Sequence, residues 1–173
     1  MRYLIVCGGK TDKEFGLNEI KTDGIDAIIA ADSGMDFLYE NGVTPDIIVG
    51  DFDSATTKAL EYFERKGQTE IHRLNPIKDD TDTEYAIRLA IREGARSIVM
   101  LGATGSRIDH VLGNISLLGI GLESGTDISI IDTNNRIRMA DKPVTIEKSA
   151  QYGRFVALNP ATPLSAIEYV LPK

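Results

Sequence analysis

Short apolar runs, most of them closed by glycine or aspartate, recur along the first hundred positions of the chain. RYLIVC (Arg2 to Cys7) predicts a strand that leads into Gly8-Gly9-Lys10. AIIAA (Ala27 to Ala31) predicts a second, ending at Asp32-Ser33-Gly34, and IIV (Ile47 to Val49) a third, ending at Gly50-Asp51-Phe52-Asp53-Ser54. TEIHRL (Thr69 to Leu74) and SIVML (Ser97 to Leu101) make the fourth and fifth. The intervening segments have helical composition: MDFLYENG stops at Gly42, and TTKALEYFERKG repeats apolar residues at Ala59, Leu60 and Phe63 before Gly67. DTEYAIRLAIREG follows Thr81-x-x-Glu84, the spacing of a capping box, and the stretch from Arg107 to Leu122 completes the helices. Alternating strands and helices predict an α/β fold with a mostly parallel sheet flanked by helices on both faces.

The pattern changes near Gly125. DISIIDTNNRIRM reads as two strands around Thr133-Asn134-Asn135, VTIEKSAQYGRFVAL continues in strand-like fashion, and NPATPLSAIEYVLPK holds one more strand. The expected division is therefore an α/β domain over 1–124 and a thin, incomplete β-rich domain over 125–173. A chain of 173 residues suits one core with a small appendage.

Charge narrows the functions. Nineteen basic residues stand against 26 acidic ones, a net charge of -7, which excludes a general nucleic-acid surface. An anionic ligand would need local Lys or Arg, helix N-termini or a metal ion. No apolar run reaches the length of a membrane span and none has the form of a leader peptide. The single cysteine, Cys7, lies in a strand pattern and reads as a buried thiol in a cytoplasmic protein.

In open α/β sheets, ligands gather beyond the carboxyl ends of the strands. The glycine- and aspartate-bearing loops fall at those ends, with Lys78-Asp79-Asp80-Thr81-Asp82 at the junction before a helix. If the chain stays extended, Asp51 and Asp53 point the same way and Phe52 points into the core. Asp79 and Asp82, three apart, can meet on one side of an early helical turn. These oxygen ligands suit Mg²⁺; packed together without a cation, they would repel. The same residues also fit an acidic turn that favours the start of the following helix.

GATGSRIDH (Gly102 to His110) is the second informative stretch. Small residues up to Gly105 let backbone N–H groups approach an anion, Thr104 and Ser106 add hydroxyls, and Arg107 offers a planar fork to phosphate. Asp109 can orient that arginine or bind a metal. His110 fits a substrate contact or general base, and equally a histidine bonded beneath the loop. Asn114 can hold the same loop or face solvent. Lys78 can contact phosphate or pair with Asp79. His72 lies in an alternating strand pattern, and the two histidines lack zinc-motif spacing.

At ADSG (31–34), PDIIVGDFDS (45–54), KDDTDTEYA (78–86) and GATGSRIDH with Asn114, the chain resembles the thiamine pyrophosphokinases. The order and spacing of these elements carry the resemblance, and DTNNRI is similar to that family's connection into its β-rich domain. The resemblance implies transfer of a pyrophosphoryl group from ATP to the hydroxyl of thiamine, with Mg²⁺. It also implies a C-terminal β-sandwich, here expected to be incomplete, and a homodimer. Asp51, Asp53, Asp79 and Asp82 match the family's acidic metal and nucleotide site. Asp32, Lys78, Thr104, Arg107, Asp109 and His110 match its ATP-binding surroundings, with Ser33, Gly34, Gly105, Ser106 and Asn114 in the same motifs. Ser106 departs from the glycine usual before the arginine. Family members continue into a thiamine-holding segment, so the expected thiamine pocket is incomplete in these 173 residues.

Both lines of reasoning support in-line attack on the β-phosphorus of ATP, with Lys78 or Arg107 offsetting charge on the transferring oxygens. Two other functions use the same architecture: a metal-dependent nucleotide pyrophosphohydrolase, with water as attacker, and a nucleotide-binding regulatory module without turnover.

Overall fold

Period-two alternation puts successive side chains of a strand on opposite faces, and the first strand, β1 (Arg2–Val6), shows the result directly. Tyr3 and Ile5, continued by Cys7, enter one hydrophobic layer, while Leu4 and Val6 enter the other. A strand buried on both faces needs helices on both sides, and the remaining elements supply them. The computed structural model describes residues 1–53, 56–75, 80–153 and 155–157.

The strands that follow are β2 (Ala27–Ala31), β3 (Ile47–Gly50), β4 (Glu70–Arg73), β5 (Ser97–Leu101), β6 (Asp127–Ile131) and β7 (Arg136–Arg138). They form one mixed sheet in the order β4-β3-β2-β1-β5-β6-β7. All neighbours pair in parallel except β7, which runs antiparallel to β6 at the edge. The chain builds outward from β1 to β4, then returns to the other side of β1 as β5. The switch point of the topology, where α/β folds open a crevice, therefore lies between β1 and β5.

Helix α1 is Lys13–Ile20, α2 Gly34–Glu40, α3 Thr57–Lys66, α4 Asp82–Arg92 and α5 Ile108–Ser124. One layer packs Ala86, Ile87 and Ala90 of α4 and Leu118 of α5 against Tyr3, Ile5, Ile98 and Met100. The other packs Met35 and Leu38 of α2 and Ala59 and Phe63 of α3 against Leu4, Val6 and Ile48. Phe63 is fully buried and meets Tyr62 edge to face at 5.2 Å between ring centres. Burying a side chain of this kind contributes roughly 1.5–3 kcal/mol. Cys7 lies in the first layer, where burial pushes its thiol up to about 12 and keeps it protonated at neutral pH. No helix among the described residues is long and apolar enough to cross a membrane.

Four features depart from the pattern read in the sequence. Helix α1 was not foreseen, because Gly16 is its only fully buried residue; the Asp12 carboxylate starts it by accepting the Phe15 N–H at 2.9 Å. The Thr81 hydroxyl caps α4 by accepting the Glu84 N–H at 3.1 Å, but the Glu84 carboxylate bonds Arg88. Beyond Gly125, β6 and β7 join the existing sheet, so the change of pattern there does not end the α/β unit. The reason is the parallel register of β6 on β5, with Ile128 opposite Ile98 and Ile130 opposite Met100, which buries these two in one layer and Ile131 in the other. Among the described residues of 139–157, a single 3₁₀ turn, Lys148–Ala150, replaces the strand expected in VTIEKSAQYGRFVAL. The expected terminal strand, after residue 158, lies outside the described residues.

Gly34 fixes how closely α2 approaches β1. A Cβ at this position would fall 1.9 Å from the Val6 carbonyl oxygen, a backbone atom that cannot step aside. Gly34→Ala is expected to destabilise the chain by about 3 kcal/mol, the upper range for overpacking. Urea unfolding measures it, and a loss within about 0.5 kcal/mol of zero would contradict this packing.

Candidate active site

The carboxyl ends of β2 and β3 lie side by side, and each closes on an aspartate. The Asp32 N–H donates to the Val49 carbonyl at 2.7 Å, extending the β2–β3 pairing by one residue. Asp32 then takes φ of 48°, and Phe52 takes φ of 64°. These are the only non-glycine residues with positive φ among the described ones, and both sit in the same corner. Each such conformation costs on the order of 1–3 kcal/mol, which makes them informative about function.

The turn at Phe52 is what brings Asp51 and Asp53 together. The chain does not remain extended, as the sequence alone suggested; it reverses, and the Asp53 N–H donates to the Asp51 carboxylate at 3.2 Å. Phe52 does pack against the core layer of α2 and α3, with the Arg73 guanidinium 5.4 Å from its ring centre. Asp32, Asp51 and Asp53 each present a carboxylate oxygen within 4.8 Å of the other two. Asp32 and Asp51 are half-buried and Asp53 is exposed. Burial pushes the Asp32 carboxyl above its usual range, and the negative charges of Asp82, Asp51 and Asp53 push it further, against the Ser33 N–H. Its Oδ1 atom is buried and has no hydrogen-bond partner among the described residues. Three clustered carboxylates offering hard oxygens fit a divalent cation such as Mg²⁺.

Asp82, the first residue of α4, is close enough to act on Asp32 more strongly than Asp51 or Asp53 does. The expected partners Lys78 and Asp79, together with Ser54, lie outside the described residues. Ser33 and Gly34 stand at the start of α2, directly after Asp32. Asp32 was read in the sequence only as part of the nucleotide surroundings; its place among the possible cation ligands comes from the geometry. A signal was present, since Asp-Ser-Gly after a buried strand repeats the strand-then-aspartate arrangement of Asp51.

At the switch point, the loop after β5 is locked to the loop after β1. The Cys7 N–H donates to Leu101 at 2.8 Å and the Gly9 N–H to Gly102 at 2.9 Å. Gly102 has φ of 65°, and a Cβ there would meet the Cys7 carbonyl oxygen at 2.4 Å, so the position requires glycine. Asn114 of α5 donates to the Ala103 carbonyl at 2.8 Å and holds the loop from below. The Thr104 hydroxyl donates to the Asp132 carboxylate at 2.8 Å, so its proton is directed away from any anion over the loop. Gly105, Ser106, Arg107, Asp109 and His110 are exposed. Arg107 and Asp109 pair at 2.7 Å; each stabilises the other's charge, holding the Asp109 carboxyl below and the Arg107 guanidinium above their usual ranges. Such an exposed pair opens easily to admit a phosphate. Beside this loop lies a cavity of about 260 Å³ whose lining includes Lys10, Phe15, Leu101, Ile131 and Asp132.

Residues 21–130 match the family model described as "Thiamin pyrophosphokinase, catalytic domain". Over 111 residues the chain is 37% identical to a thiamine pyrophosphokinase of Bacillus subtilis, covering 64% of this chain and 51% of that protein. It is 36% identical over 80 residues to thiamine pyrophosphokinase 1 of Oryza sativa, across 43% and 30% of the two chains. The crystal structure of the Bacillus subtilis enzyme superposes with a TM-score of 0.69 at 32% identity, over 80% of this chain and 64% of that one. Thiamin pyrophosphokinase from Candida albicans, at 23% identity, shares the fold with a TM-score of 0.62 across 78% and 59% of the chains. The chain thus spans about half the length of its Bacillus relative and less of the plant one.

Proposed function

The chain belongs to the thiamin pyrophosphokinase family, and on that premise we propose that it transfers the pyrophosphoryl group of ATP to the hydroxyl of thiamine, releasing AMP. The observation that carries the reading is the cluster of Asp32, Asp51 and Asp53 at adjacent strand ends. The cluster, joined by Asp82 and by Asp79 of the same motif, would hold Mg²⁺. Bound there, the cation would offset negative charge on the phosphate oxygens.

The chain's own residues divide the remaining work. The 102–107 loop offers backbone N–H groups to phosphate, and Arg107 exchanges Asp109 for a phosphate oxygen as ATP arrives. Lys78, in the motif that leads into α4, neutralises further charge. Ser33 and Gly34 keep Asp32 at the mouth of the crevice, and Asn114 fixes the loop beneath the nucleotide. His110, exposed on the first turn of α5, is read as an ATP contact. Attack by the thiamine hydroxyl in line with the departing AMP oxygen needs this fixed arrangement more than it needs a covalent intermediate.

The protein is further read as a cytoplasmic homodimer. Its single, buried cysteine supports a reducing compartment, and the exposed Ile108 and Leu112, one turn apart on α5, support a partner on that face.

The test supplies Mg²⁺ and ATP with or without thiamine and separates the products. The expected outcome is thiamine-dependent AMP in equal amount with thiamine diphosphate, abolished by chelating the cation. ADP with thiamine monophosphate would replace the proposal by single phosphoryl transfer. AMP and pyrophosphate without thiamine would assign a hydrolase, and nucleotide binding without product would assign a regulatory module.

A further inference from the structure

We propose that Asp132 is a positioning residue for the anion-facing 102–107 loop, acting through Thr104; as a role in ATP binding, this rests on the function proposed above. Asp132 follows β6 and opens the turn to β7. An aspartate that only shapes such a turn needs one oxygen, and Asp132 gives Oδ1 to that task. It accepts the N–H groups of Asn134 and Asn135, both at 2.8 Å, and the Asn135 amide at 2.9 Å. The second oxygen reaches across the sheet end to the Thr104 hydroxyl at 2.8 Å, 28 residues earlier, and also meets the Asn135 amide at 3.1 Å.

The Asp132 backbone is held in place from behind. The Tyr152 phenol donates to the Asp132 carbonyl, and the Arg136 guanidinium stacks 5.0 Å from the Tyr152 ring centre. Three separate stretches of chain therefore meet at Asp132: the loop after β5, the β6–β7 turn and the segment returning after β7. On its other side the loop is anchored by Gly9 and Asn114. Thr104 is the anchor next to Gly105 and Ser106, which are exposed and lead to Arg107 at the start of α5. Releasing Thr104 frees the exposed half of the loop while leaving the β5 end in place.

The experiment compares Thr104→Val, Thr104→Ser, Asp132→Ala and the Thr104→Val/Asp132→Ala double variant with the unaltered chain. Affinity for Mg·ATP, the steady-state constants and amide hydrogen exchange over 102–107 are measured. Thr104→Val and Asp132→Ala are each expected to weaken Mg·ATP binding by about tenfold, equivalent to about 1.4 kcal/mol. The double variant should lose no more than Asp132→Ala alone, because that change already cuts the Thr104 link along with the bonds within the turn. Loop exchange should quicken in both, kcat should change far less than KM for ATP, and Thr104→Ser should behave as the unaltered chain. Additive losses, or unchanged affinity and loop exchange in Thr104→Val, would overturn the proposal even if stability falls. If the unaltered chain binds Mg·ATP but makes no thiamine diphosphate, the proposed function fails while affinity and exchange still decide the role of Asp132. Failure of the unaltered chain to bind Mg·ATP overturns both.

Discussion

Asp53→Asn is expected to lower thiamine diphosphate formation by on the order of 10²–10³-fold while the protein remains folded. Asp53 is exposed, so its charge is not needed to complete the core. What the substitution removes is one of three clustered negative charges that would hold a cation. Asparagine keeps the side chain's size and can retain the turn, in which the backbone N–H of residue 53 is the donor to Asp51. Steady-state turnover at saturating Mg²⁺ and a thermal melt of the same preparation check the result together. Parallel loss of melting temperature and turnover would place Asp53 in the folding machinery; unchanged turnover would remove it from the site.

The second large effect has opposite signs in stability and activity. Asp32→Asn is expected to raise the melting temperature in cation-free buffer at neutral pH and to abolish most turnover. The Asp32 carboxyl is pushed above its usual range, by burial first and then by Asp82, Asp51 and Asp53. A carboxyl shifted upward on folding contributes stability that is complete below its unfolded pKa and is lost as pH rises through the folded value. At neutral pH its charge therefore opposes folding. The amide removes that opposition, and asparagine tolerates the left-handed backbone that Asp32 adopts at φ 48°. The gain should disappear in acid, below the usual carboxylate range, where Asp32 is neutral. Adding Mg²⁺ should stabilise the unaltered chain more than the variant, since a ligand that binds the native state shifts its unfolding. A variant no more stable than the unaltered chain in cation-free buffer would contradict the electrostatic account.

The alternation of strands and helices was legible because its physical cause, burial on both faces of a parallel sheet, leaves unbroken apolar runs such as Tyr3 to Cys7 and Ala27 to Ala31. Helix α1 was not, since a helix held by the Asp12 cap and a few half-buried contacts has no apolar stripe to read. The change of pattern near Gly125 was real, but β6 is recruited by the sheet already formed, and that partnership depends on register with β5. In the acidic corner, the residue types announced a site while the backbone reversal at Phe52 did not: no local propensity predicts a phenylalanine at φ 64°. Asp32 was visible as an aspartate at a strand end. Its grouping with Asp51 and Asp53 needed the neighbour relation of β2 and β3. Asp132 was hidden more deeply, because its partner Thr104 lies 28 residues away across a strand crossing.

The backbone at Phe52 places two selective pressures in opposition. Survival at high temperature would favour glycine or asparagine there, since either adopts a left-handed conformation with less penalty. Catalytic fitness would favour the aromatic ring, whose seat against the core and beside Arg73 keeps the flanking aspartates in register. Lineages in hot habitats would thus have to find their added robustness at other positions.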